Sequence, residues 1–157
     1  SAFTTISDKL HTVTGSNMVP GREEDQSSYR GELGGILGSI ICANAIMKKH
    51  NIQRGTITLG CDNERAIKAL DEDRIYTSRW NSYDILFQIR KELQHLPSKW
   101  IFKHVKGHQD DTQSDDNLDE WAKANINVDK MAKAEMRRYL HAGSPFIKPL
   151  SNKDSNS

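Results

Sequence analysis

The chain is 157 residues long, 36% hydrophobic and 27% charged, with a net charge of +1. That is enough apolar material for one core of ordinary domain size, and no apolar run approaches the roughly 20 residues that a membrane helix needs. Residues 110–120 hold six acids and no base, so the rest of the chain carries +7, a modestly basic body compatible with a polyanionic partner. Cys42 and Cys61 are too few for a disulfide scaffold and read as buried, reduced thiols. An intracellular setting, cytoplasmic or nuclear, is therefore expected, with no membrane partner. The first residue is Ser1 rather than Met, so the chain is expected to be cut from something longer.

Taken in order, SAFTTIS and LHTVTGSNMV are rich in β-formers and read as two strands joined as a hairpin, with Pro20-Gly21 stopping the second. Ser27 or Ser28 can cap a helix running from Tyr29 to Lys49, in which Leu33, Ile36, Leu37, Ile40, Ile41 and Met47 keep helical spacing. Gly34, Gly35 and Gly38 each cost that helix about 1 kcal/mol relative to Ala. Three of them so close together predict that another backbone approaches. Residues 55–61 form a β-rich run that stops at Asp62, and Asn63 can cap a short helix over Glu64–Leu70. A polar connection follows over residues 71–82. Asp84–Leu96 is amphipathic and ends at Pro97. Lys99–Val105 is a further strand, followed by Gly107-His108-Gln109 and the acidic loop. The last helix spans about Leu118–His141, and residues 142–157 read as a flexible tail. Strands separated by helices predict an α/β layer fold with parallel pairing in its second half.

Few residues are equipped for chemistry. Asp62 stands at the carboxyl end of an apolar strand, where α/β sheets place their sites; a helix cap is the plainer role for it. Glu32 lies near a helix start, where an acid also suits the dipole. Asp129 falls on the apolar side of the last helix, so it needs a partner, either a cation or a site. His104 and His108 are spaced like an H-x-x-x-H pair, but a strand and Gly107 separate them, so they do not share a helix face. His108 is expected to be exposed and free to move a proton. Three carboxylates from three elements select hard cations such as Mg²⁺ or Mn²⁺ over zinc. A pair of such ions can activate water against a phosphodiester.

Four segments, SSYRGELGGILG, ITLGCDNERAI, FKHVKGHQDD and LDEWAKANINVDKMAKA, together resemble the type 1 ribonuclease H domain, in the form attached to retroelement reverse transcriptases. The resemblance covers residues 1 to about 140, giving a domain over 1–141. It implies a mixed β-sheet flanked by helices. It implies cleavage of the RNA strand of an RNA–DNA hybrid with two Mg²⁺, Mn²⁺ being an alternative. Glu32, Asp62 and Asp129 would be metal ligands, and His108 would assist proton transfer or product departure. Ser28 and Asn63 would contact the nucleic-acid backbone, and the remainder of a reverse transcriptase polyprotein would be a partner; Arg30, Lys103, Lys106, Lys123 and Lys130, close in sequence to the acidic site, are the cations expected to meet the nucleic acid's phosphates. The chain departs from the family at its beginning. The family's first, central strand ends in an Asp, usually followed by Gly-Ser, that bridges both metals, and here the chain opens at what matches the second strand. Asp8 falls in the hairpin turn, and the tail carrying Asp154 makes a poor substitute, because Pro149 cannot donate to a central ladder. A fold that keeps nucleic-acid binding or another interaction without catalysis is the second expectation.

Overall fold

The structure is a computed structural model that describes residues 1–6, 12–70, 77–94, 98–107 and 118–142. Its elements are β1 (Ala2–Ile6), β2 (Thr12–Ser16), α1 (Ser28–Lys49), β3 (Thr56–Cys61), α2 (Glu64–Ala69), α3 (Tyr83–Gln94), β4 (Lys99–His104) and α4 (Glu120–Ala142), with a 3₁₀ turn at Glu23–Asp25. The predicted hairpin forms: β1 and β2 pair antiparallel, Ala2 opposite Ser16 and Ile6 opposite Thr12. The predicted parallel pair forms as well, with Thr56 opposite Lys99 and Cys61 opposite His104. The class is mixed α/β.

The single mixed sheet expected from the sequence is replaced by two two-stranded sheets, β1-β2 and β3-β4. The physical reason is that no strand among the described residues pairs with both β1 and β3, so each keeps an open edge. Helix α1 joins the two halves, packing on β1, β3, α2 and α3. Its apolar stripe supplies Leu33, Ile36 and Ile40, which meet Ile85, Leu86 and Ile89 of α3 and Leu59 of β3 in one buried cluster. Each such side chain is worth about 1.5–3 kcal/mol on burial. Trp100 and Phe102, alternate residues of β4, pack on the same cluster because successive strand residues face opposite ways.

The α1 glycines behave as their clustering predicts. A Cβ on Gly35 would lie 2.7 Å from the Ala2 carbonyl oxygen, so β1 rests directly on the helix backbone. Gly34 faces Val19, and Gly38 faces the Phe3 ring. Ser27, outside the first turn, caps α1 by accepting from the Arg30 amide. No helix among the described residues is long and apolar enough to cross a membrane.

Candidate metal centre

Strand β3 runs its apolar residues into the core and delivers Cys61 and Asp62 at its carboxyl end. Asn63, not Asp62, caps α2: its side chain accepts from the Ala66 amide at 3.1 Å. The Asp62 carboxylate is thereby left out of helix capping. Glu32, one turn into α1, meets it. Ligand atoms of Glu32, Cys61 and Asp62 all lie within 4.8 Å of one another.

Burial raises the Glu32 carboxyl above its ordinary value, and the charges of Asp62 and, more weakly, Asp129 raise it further. The Cys61 thiol, pushed up to about 12 mainly by burial, is a neutral donor. It points its Sγ at Glu32 Oε2 at 3.4 Å. A protonated thiol is no ligand for a hard cation, so the donor set is two carboxylates steadied by a thiol. Crowded carboxylates of this kind fit a divalent oxygen-liganded ion. Ser1, at the start of β1, adds an amino group whose pKa is lowered by burial against the pull of Glu32 and Glu135.

Asp62 is held from three further directions. Asn125 of α4 donates from Nδ2 to Asp62 Oδ2 at 3.1 Å. The His104 ring Nε2 lies 3.1 Å from the Asp62 carbonyl oxygen, so His104 is a sheet residue that steadies the site's backbone. The loop after β4 passes so close that a Cβ on Gly107 would be 2.8 Å from Asp62 Oδ2.

The other predicted residues divide. Asp129 is not within the tight cluster. It accepts from Lys133 Nζ at 2.6 Å on the α4 surface, a pair 59% and 44% exposed and so worth only about 0.3–0.5 kcal/mol. The partner that its place on the apolar side called for is Lys133, and the carboxylate is half-exposed rather than buried. Arg30 is corrected outright. It is buried, donating from Nη1 to Asp84 Oδ1 at 2.8 Å and from Nη2 to Asp84 Oδ2 at 2.6 Å, and it also donates to the Pro20 carbonyl. A guanidinium so enclosed ties α1 to α3 and cannot reach a phosphate. Ser28 is exposed in the first turn of α1, and Asn63 is half-buried beside Asp62. Lys103 lies over the Trp121 ring, 4.7 Å from its centroid, and Lys106 is exposed. His108, the acidic loop to residue 117, Asp8 and Asp154 lie outside the described residues.

Sequence reasoning missed several groups. Asn125 precedes Asp129 by four residues and therefore shares its helix face, a spacing that was there to be read. Arg65 and Arg79 were also missed. With Tyr29, Ala69, Trp80 and Asn81 they line a cleft of about 470 Å³, and the Arg65 guanidinium stands 4.6 Å over the Tyr29 ring. No sequence signal joins these residues, because they come from two helices and a turn.

No family model, no curated protein and no solved structure matches this chain.

Proposed function

We propose that the chain is a divalent-metal-dependent ribonuclease H-type endonuclease domain, cleaving the RNA strand of RNA–DNA hybrids as part of a retroelement reverse transcriptase. The observation that carries this reading is the meeting of Glu32 and Asp62, from α1 and the end of β3, with ligand atoms within 4.8 Å and with Asp129 near enough to raise the Glu32 carboxyl. Glu32 and Asp62 would hold Mg²⁺, with Asp129 turning from Lys133 to join them. A bound divalent pair supplies a water of lowered pKa and stabilises the leaving oxygen. The chain's own residues do the rest. Asn125 and His104 keep Asp62 oriented, and the Cys61 thiol keeps Glu32 oriented. His108, next along from Gly107, would hand a proton to the departing group. Arg65 and Arg79, beside the Tyr29 and Trp80 rings, offer a cationic, aromatic-walled cleft to the hybrid's backbone.

The test is cleavage of a labelled RNA–DNA hybrid by the protein translated from its complete reading frame. Mg²⁺-dependent products from the RNA strand alone are expected, and none from the Asp62→Asn variant. An Asp62→Asn protein as active as the parent would remove the ligand assignment. A binding or interaction module without catalysis is the second reading. It is favoured by one observation: among the described residues only two carboxylates enter the tight cluster. Hybrid binding with no cleavage under Mg²⁺ or Mn²⁺ would select it.

A further inference from the structure

Helix α4 carries Trp121, Asn125 and Asp129 at i, i+4 and i+8, one stripe along the helix. Each member of the first pair has a definite seat. A Cβ on Gly60 would lie 2.6 Å from the Trp121 ring, so the indole packs directly against the glycine of β3. One turn on, Asn125 Nδ2 donates to Asp62 Oδ2 at 3.1 Å. Trp121 therefore sits beside residue 60 and Asn125 beside residue 62, and α4 runs past the end of β3 in a fixed register. Asn is a weak helix former that competes with the helix by bonding to nearby backbone. Here, half-buried in the sixth position of α4, its amide is spent on a carboxylate from another element.

We propose that Asn125 is a positioning residue: its side-chain amide occupies one oxygen of Asp62, turns the other toward Glu32, and sets the register of α4 against the end of β3. This rests on the reading of Asp62 as a metal ligand. An amide suits the role where Lys or Arg would not. It orients a carboxylate without neutralising it, so the charge needed for a divalent cation is kept. Groups of this kind, one bond removed from a ligand, commonly change metal affinity 10–100-fold when lost.

The experiment measures Mn²⁺ affinity by electron paramagnetic resonance, beside the thermal melting temperature of the metal-free protein. Asn125→Leu is the informative variant, since Leu has similar volume and better helix propensity, so α4 keeps its packing while the donor is gone. Mn²⁺ binding weakened about tenfold, with melting unchanged or raised, is the expected result. Asp62→Asn should abolish measurable binding. If Asp62→Asn abolishes binding while Asn125→Leu binds Mn²⁺ as the parent does, the positioning role is wrong and the metal site stands. If Asp62→Asn binds normally, the metal reading itself fails. Should Asn125→Leu not fold, Asn125→Ala gives the same comparison without the larger side chain, and normal Mn²⁺ affinity in that variant overturns the proposal.

Discussion

Glu32 is half-buried with its carboxyl raised above the ordinary range, first by burial and then by Asp62. The sign of its effect on stability follows. The folded state holds a proton on Glu32 at pH values where the unfolded chain has released it, so the metal-free fold loses stability as pH rises from the ordinary value of 4.5 through the raised one. Replacing Glu32 with Gln removes the charge and keeps an oxygen to accept from Cys61. The metal-free Glu32→Gln protein is therefore expected to melt higher than the parent at neutral pH, with the difference closing below the ordinary carboxylate value. Scanning calorimetry in chelator at several pH values checks it, and a gap independent of pH would remove the burial-and-repulsion explanation. The Cys61–Glu32 contact was not legible in the sequence, because it joins residues 29 positions apart. Asp62 was legible, because a strand end before a helix is a local pattern.

Helix α1 shows how one substitution changes sign with place. Gly31 has open space where a Cβ would sit, whereas a Cβ on Gly35 would strike the Ala2 carbonyl oxygen at 2.7 Å. Gly31→Ala is expected to stabilise by about 1 kcal/mol through helix propensity. Gly35→Ala is expected to destabilise by about 1–3 kcal/mol, because β1 must move off the helix. Urea denaturation of the two variants decides this, and equal shifts in the same direction would mean that β1 does not rest on Gly35. The Arg30–Asp84 pair belongs to the same scale, since it ties the first turn of α1 to the first turn of α3. Asp84→Ala leaves a buried guanidinium short of its charge partner and should cost about 3–5 kcal/mol. A cost under about 1 kcal/mol in the same measurement would show that the pair is not enclosed in solution. The three glycines announced a close approach before any coordinates, but which strand approaches is settled only by folding.

Across the whole molecule the charge is divided. The net +1 combines a run of acids at 110–120 with a basic remainder, and two of its arginines, Arg65 and Arg79, line the cleft beside Tyr29 and Trp80. Affinity for an RNA–DNA hybrid, measured by fluorescence anisotropy, should fall with salt. Arg65→Gln should flatten that dependence by about one unit of log–log slope if the guanidinium meets a phosphate. Base sequence should matter little, since groove shape and 2′-hydroxyls would carry the discrimination. An unchanged slope would take Arg65 out of the interface. Arg30→Gln is the contrasting case: buried under Asp84, it should lower stability rather than the slope.

The sequence alone determined the elements and their order: the hairpin, the glycine-bearing α1, the β3–α2 turn at Asp62 and the parallel β3–β4 pair. These depend on the period of apolar residues and on caps such as Ser27 and Asn63, which act over one or two turns and are written locally. It also singled out Glu32 and Asp62 as acids at element ends. Only the tertiary structure decided what each polar side chain does. Arg30 and Arg65 are both helical arginines, yet one is closed over by Asp84 and Pro20 and the other opens on a cleft. Asn125 and Cys61 look like ordinary helix and strand residues until α4 and α1 bring them against Asp62 and Glu32. The reason is physical: a polar group's partner is chosen by packing between elements far apart in the chain, and periodicity along one element carries no information about its neighbour.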